Sequence, residues 1–348
     1  QENPVSFEII PPGTNVDFLG QRRICIAVSI AVIALGAVFA SVNGVKVGLD
    51  FAGGTEVQLL FADGVEVDEG LIRSVVADVG FADSQVVRFG DEGDSEFNIK
   101  FNSVVPGSAA ALAVIEAQTG ENGEGDAVGL ESNTRVMVLE NSLRGAIGDF
   151  TEQRVEYVGP RVGAELREDG AKALLYSAIV ILLYVTFRFN SRFAPGAVVA
   201  VVHDLAITAG ILVMLGEEFD LQILAAMLAI LGYSLNDTII IYDRIRENME
   251  FRTTADLEET LNTSVNQTLS RTVLTSLTTL LALLSLYFLG GAVIQPFAKT
   301  MLIGVLVGTY SSIFIASPLL LFLEERYGSP AGGGDKPKGT GVNKAVRA

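Results

Sequence analysis

Six long stretches almost free of charge constrain this chain more than anything else in it. A bilayer core about 30 Å thick takes about 20 apolar residues to cross as a helix. Residues 24–45 carry no charge except at their borders, and Arg22-Arg23 precede them. Residues 173–187 are uncharged between Lys172 and Arg188, whose long stems extend a short span by snorkelling. Residues 193–216 are interrupted by His203-Asp204, and residues 221–242 by Asp237. Residues 272–288 and 300–323 complete the set. Six transmembrane helices are predicted, because hydrocarbon leaves the backbone no partner outside its own helix. A mean hydropathy of +0.43 excludes a single soluble domain. Cys25, the only cysteine, lies in the first apolar run, which excludes a disulfide-stapled secreted protein.

Loop charges predict the orientation, since cations favour the cytoplasmic side of short loops. Arg22 and Arg23 precede the first span, and Arg188 and Arg192 lie between the second and third. Arg244, Arg246 and Arg252 follow the fourth, and Arg326, Lys336, Lys338, Lys344 and Arg347 follow the sixth. The alternate loops are poor in cations: Glu217-Glu218-Phe219-Asp220 is acidic and residues 290–297 are uncharged. Both termini are therefore expected in the cytoplasm, with residues 43–170 on the outer side. The expected organisation is a cytoplasmic segment at 1–23, a first span at 24–42, an outer domain at 43–170, a bundle of five helices at 171–325 and a disordered cytoplasmic tail at 326–348. A cleaved signal peptide at residues 24–40 is the rival reading of the first span, and the stretch before it is long for one. The first residue is Gln1, not Met, so the natural start is expected upstream.

Residues 43–170 hold 24 Asp/Glu against 9 Lys/Arg, a net of −15 within a chain total of −17. That sign excludes a nucleic-acid binder. Strands are expected at 55–61, 84–88 and 96–101, with 135–139 and 154–158 as later strand candidates, and helices at 68–79 and 109–117, with a Gly- and acid-rich loop at 121–129. The βαββαβ order predicts a ferredoxin-like α+β sandwich. The domain has no His and no Cys, and Gly53-Gly54 is not followed by the Gly-Lys-Ser/Thr of a phosphate loop. No enzyme, cofactor or metal is expected, and the glycine pair reads as a turn before a strand.

Charges inside the bilayer are costly and therefore carry the functional signal. Asp237 lies 16 residues below Leu221, about 24 Å at 1.5 Å per residue. Ser234, Tyr233 and Ile230 share its face by helical spacing, so that face is expected to point into the bundle. Arg271 opens the fifth span near the same depth, where the two charges are positioned to pair. His203 and Asp204 lie in the third span, slightly shallower than Asp237. The bland alternatives are a structural ion pair, a snorkelling Arg271, and a buried histidine with Asp204 as a clamp. Gly304-xxx-Gly308 and Ala225-xxx-Ala229 are patterns of close helix approach.

Several motifs resemble the SecF family of protein-export membrane subunits. Gly48-Leu-Asp-Phe-Ala-Gly-Gly-Thr55 and Val158-Gly-Pro-Arg-Val-Gly-Ala-Glu-Leu166 resemble its motifs at the two ends of the exported domain. His203-Asp204 stands where the family has its third-span pair. Gly232-Tyr-Ser-Leu-Asn-Asp-Thr238 with Tyr242-Asp-Arg-Ile-Arg-Glu-Asn248, then residues 267–276 and Gly308-Thr-Tyr-Ser-Ser-Ile-Phe314, are similar to its later signatures. The likeness spans about residues 18–324; residues 104–132 match none of its motifs and look like an insertion.

The resemblance implies half of a bundle related to the RND transporter superfamily. It implies a bacterial inner membrane, which makes the outer side of residues 43–170 the periplasm. It implies SecD as partner, association with the SecYEG channel, preprotein as substrate, and use of the proton motive force in export. Asp237 and Arg271 are then expected on the proton path, with His203 and Asp204 as further members. An RND-type exporter of lipids or small molecules, and a scaffold that stabilises the Sec channel without transport, remain the alternatives; proton or sodium coupling stays open.

Overall fold

The computed structural model describes residues 11, 14–62, 64–65, 67–81, 84–89, 95–101, 108, 127–188, 193–251, 256–291 and 293–327. Among the described residues, six helical segments are long and apolar enough to cross a membrane. They are α1 (Arg22–Asn43), α5 (Pro160–Arg188), α6 (Ala194–Leu215), α7 (Leu221–Phe251), α8 (Leu257–Leu289) and a last span. That last span joins α9 (Gln295–Ser311), a π-helical turn (Ser312–Ala316) and α10 (Ser317–Tyr327). Between α1 and α5 lies the α+β domain: α2 (Leu49–Ala52), β1 (Gly54–Phe61), α3 (Glu69–Val79), β2 (Gln85–Phe89), β3 (Glu96–Phe101), α4 (Ala127–Ala146) and β4 (Phe150–Val158).

The strands form one antiparallel sheet in the order β2-β3-β1-β4, the ferredoxin-like arrangement expected from a βαββαβ chain. Alternation along β1 sends Val57, Leu59 and Phe61 inward, where they meet Phe97, Ile99 and Phe101 of β3. Ile72 and Val76 of α3 and Leu139 and Leu143 of α4 complete this core. The Asp68 carboxylate caps α3 by accepting the Leu71 N–H at 2.6 Å. Gly80 closes the helix at φ 115°, a left-handed turn that a side chain disfavours.

Residues 135–139 are helical, not the expected strand. Val136, Leu139 and Leu143 are buried apolar positions of α4, three and four residues apart, so the Val-Met-Val-Leu run gives Val136 and Leu139 to one helical face and leaves Met137 exposed. A short apolar run reads equally well either way when taken alone. Residues 127–129, expected in a loop, begin this helix; the expected helix at 109–117 and residues 121–126 lie outside the described residues.

The motifs at the two ends of the α+β domain pack against each other. Gly53 adopts φ 74°, and a Cβ there would lie 2.8 Å from the Pro160 Cα. A Cβ on Gly163 would lie 3.0 Å from the Gly53 nitrogen. Glycine at both positions lets α2 sit directly on the start of α5. That helix leaves β4 after one residue and runs unbroken to Arg188, so residue 170 falls inside it.

A second junction ties the domain to the connection between α6 and α7. The Gly48 N–H donates to the Phe219 carbonyl at 2.8 Å, and the Phe219 N–H to the Lys46 carbonyl at 2.9 Å. Lys100 of β3 bonds Glu218 at 2.6 Å and lies 3.5 Å from Glu56. Burial works against the lysine's charge, but these two carboxylates outweigh it and raise its pKa. The folded-state pKa is raised, so this contribution is complete at neutral pH and is lost as alkaline pH passes through it. Asp220 is raised in the opposite balance, by burial first and by Asp50 beside it.

Glycines also set the helix spacing in the bundle. A Cβ on Gly36 of α1 would lie 2.6 Å from the Gly210 Cα of α6. Cβ atoms on Gly304 and Gly308 of α9 would meet Ile230 at 2.1 Å and Ser234 at 3.0 Å on α7. The Gly304–Gly308 pattern thus marks a true close approach. Ala225 and Ala229 do not: they lie on an exposed face of α7. The helix α8 starts well before the apolar run at 272–288, because Leu261 and Val265 bury there while Asn262 and Asn266 bond the backbone of Val16 and Phe18. That amphipathic extension carries Glu258 and Glu259 and so is not part of an uncharged run.

Two outcomes test these contacts. Gly36→Leu is expected to cost about 1–3 kcal/mol, since backbone on the facing helix has nowhere to retreat; thermal unfolding in detergent measures it. Lys100→Met is expected to cost about 1.5–3 kcal/mol, the range of a hydrogen bond to a charged group. Hydrogen exchange should then rise at β3 and residues 217–221 while the bundle stays protected.

Candidate functional site

The close approach of α9 to α7 brings hydroxyls to a carboxylate on α6. Asp204 is 1% exposed. The Ser311 hydroxyl of α9 donates to its Oδ2 at 2.8 Å, and the Ser234 hydroxyl of α7 donates to the same oxygen. Its Oδ1 lies 2.9 Å from His203 Nδ1. The other ring nitrogen, Nε2, is 2.9 Å from the Ser29 hydroxyl of α1. Ser29 in turn lies 3.2 Å from the Tyr310 hydroxyl, which donates to the Cys25 carbonyl at 2.7 Å. With Asp204 ionised, this network assigns the imidazole proton to Nδ1 and leaves Nε2 to accept from Ser29. A carboxylate in hydrocarbon is tolerated only with such partners, and α1, α6, α7 and α9 each supply part of the chain.

The backbone just beyond Ser311 is unusual. Residues 312–316 form a π-turn, which widens the helix and offsets the hydrogen-bond ladder. The Ser317 hydroxyl takes up the Ser312 carbonyl at 3.0 Å, and the buried Tyr242 hydroxyl takes up the Ala316 carbonyl at 3.0 Å. Gly196 makes room for Tyr242, since a Cβ there would lie 2.2 Å from the phenol oxygen.

Asp237 lies one helical turn beyond Ser234 and is also 1% exposed. It faces the bundle, not lipid, as its helical neighbours predicted. Its surroundings are much poorer than those of Asp204. Ser276 of α8 is its polar neighbour, and that hydroxyl also lies 2.7 Å from Thr309. The Asp237 Oδ2 has no hydrogen-bond partner among the described residues, and neither has the buried Thr272 hydroxyl. Ser234 was expected on the Asp237 face; the structure gives its hydroxyl to Asp204.

Arg271 does not pair with Asp237. It is exposed and lines a cavity of about 770 Å³ with Asp243, Arg244, Glu247 and Gln267. Thr272 and Ser276, the next buried residues along α8, face the bundle. Arg271 is one residue earlier and so turns about 100° off that line. Matching depth alone did not fix which way the side chain points.

The structure therefore joins His203 to Asp204, keeps Asp237 apart from that pair beside Ser276, and leaves Arg271 at the rim. Ser311, Ser29 and Tyr310 escaped a search for intramembrane charge because they are neutral. The available signal was a hydroxyl at Ser29 deep in an apolar run, and the Gly308-Thr-Tyr-Ser311 segment placed beside a close-approach glycine.

Residues 138–326 match the family described as "Protein export membrane protein SecD/SecF, C-terminal". A protein translocase subunit SecF from Desulfurispirillum indicum is 40% identical over 319 residues, covering 90% of this chain and 94% of that one. A protein of the same name from Pseudomonas aeruginosa is 40% identical over 310 residues, covering 88% and 91%. Among solved structures, SecDF from Thermus thermophilus, described as a translocon-associated membrane protein, superposes with a TM-score of 0.75 at 36% identity. That match covers 90% of this chain and 39% of the SecDF chain. A super-membrane-facing form of SecDF gives a TM-score of 0.64 at 34% identity, covering 94% and 40%. This chain thus spans about two fifths of the SecDF chains it resembles. With matching sequence over nine tenths of its length and a matching bundle and sheet domain, the chain belongs to the SecD/SecF family of protein-export membrane proteins, on its SecF side.

Proposed function

We propose that the chain is the SecF subunit of a SecDF protein-export complex, and that Asp237 is the group through which the proton motive force acts on it. SecD and the SecYEG channel are the expected partners, and an emerging preprotein is the substrate. The loop charges support placing both termini in the cytoplasm and the α+β domain in the periplasm. The observation that carries the proposal is the contrast between two buried carboxylates on neighbouring helices. Asp204 has its oxygens taken by Ser234, Ser311 and His203, whereas Asp237 keeps one oxygen without a partner among the described residues.

A carboxylate short of partners gains most from changing its state. Low dielectric favours the neutral acid, and water or a nearby cation favours the anion. Arg271 sits at the rim of the same helix pair and supplies such a cation if α8 rotates. Protonation then selects between two packings of α7 against α8 and α9, a two-state element of the ordinary kind. Each proton crossing releases about 2.3 kcal/mol per 100 mV. One such step is small, so drawing out a long chain takes many cycles. Because α5 leaves β4 after a single residue, a tilt of that helix passes directly to the sheet domain.

In this reading Asp204 and His203 hold the helices in register around the moving group. Their saturation equally favours a scaffold that never transports, and the same variants separate the two. Asp237→Asn is expected to leave the complex assembled and to abolish the gradient-dependent part of preprotein export in vesicles, more than ten-fold down. Full export by an assembled Asp237→Asn complex would support the scaffold. Ser311→Ala, which strips one donor from a buried carboxylate, is expected to lower thermal stability by about 1–3 kcal/mol. Its export rate, measured at a temperature where the protein is folded, should fall by less than that of Asp237→Asn.

A further inference from the structure

Helices α1, α6 and α10 enclose an apolar groove of about 710 Å³ that has no part in the proton reading. Its walls include Ile30, Val202 and Phe322, which are 62%, 56% and 52% exposed. Its mouth holds Arg22 and Arg23 at the start of α1, and its floor holds Ser29 and His203. Arg22 bonds Glu258 at 2.5 Å. Arg23 is exposed and has no partner among the described residues, so the mouth keeps a net positive charge.

We propose that this groove binds one anionic phospholipid, with an acyl chain along the apolar walls and the phosphate at Arg23. Three observations favour that occupant. The walls belong to membrane-spanning helices, so the medium that fills them is hydrocarbon, not water. The unpaired cation lies at the end of the span, at headgroup level, where each basic residue strengthens binding to anionic lipid about five-fold. The space is too small for a partner helix to enter: three turns of helix about 10 Å across displace about 1,200 Å³. A chain lodged there also covers His203, which is 7% exposed at the groove floor. The proposal stands independently of the export reading.

Native mass spectrometry of the full chain in detergent, titrated with phosphatidylglycerol or phosphatidylcholine, tests it. The wild type should retain phosphatidylglycerol in preference. Arg23→Gln should weaken phosphatidylglycerol about five-fold and leave phosphatidylcholine unchanged. Val202→Trp, a change at an exposed position that fills the groove without disturbing the core, should weaken both. An unchanged preference in Arg23→Gln, or unchanged binding in Val202→Trp, overturns the site. A photoreactive side chain at Ile30, used in membranes containing both lipids, should cross-link to lipid. Cross-linking to a second protein chain instead would overturn the proposal in favour of a partner interface.

Discussion

A negative charge inside hydrocarbon must be surrounded by donors or be given up, and the bundle is arranged around that requirement. Asp204 meets it by drawing on neighbouring helices. Ser234 and Ser311 reach its carboxylate only because Gly304 and Gly308 let α9 lie against α7. The contact between Gly36 and Gly210 likewise brings α1 close enough for Ser29 to meet His203. Substituting a single small residue would therefore act on packing and on polar satisfaction together. The π-turn after Ser311 belongs to the same arrangement, because Ser317 and Tyr242 take up carbonyls at its two ends.

Asp237 is placed by the same helices but is not surrounded in the same way. Three residues on from Ser234, it lies about one turn further along α7 and is rotated by about 60°. There its polar neighbour is Ser276 of α8, in place of a histidine and two serines. The pair of aspartates thus divides the work that a membrane protein asks of charge. In the proposed reading, Asp204 is fixed and holds helices together, and Asp237 is the one that changes state. Connections to the α+β domain give such a change an outlet. The continuous α5, the glycine contact between α2 and α5, and Lys100 bridged to Glu218 all join the sheet to the bundle through short, stiff links.

The membrane spans were legible because hydrocarbon imposes length and apolarity directly on the sequence. The ferredoxin-like order was legible from the alternation at Val57, Leu59 and Phe61 and from the Asp68 cap, even though residues 135–139 were assigned to the wrong element. That error did not change the topology: β4 begins at Phe150, within reach of the strand expected at 154–158. At the site, depth could be counted along each helix, so His203, Asp204 and Asp237 were found as buried polar groups. Rotation about the helix axis could not be counted for α8, where Arg271 and Thr272 differ by one residue and face different ways. Neutral partners such as Ser29 and Tyr310 become meaningful only when helices distant in sequence are brought together.

The central claim is that Asp237 gains and loses a proton while Asp204 keeps its partners. Infrared difference spectroscopy on the assembled complex in sealed membranes, recorded as a proton gradient is imposed and collapsed, reads this directly. The account predicts a carboxylic-acid C=O band that appears and disappears with the gradient and is missing in Asp237→Asn. A spectrum in which no carboxyl group changes state, or in which the same band persists in Asp237→Asn, would contradict it.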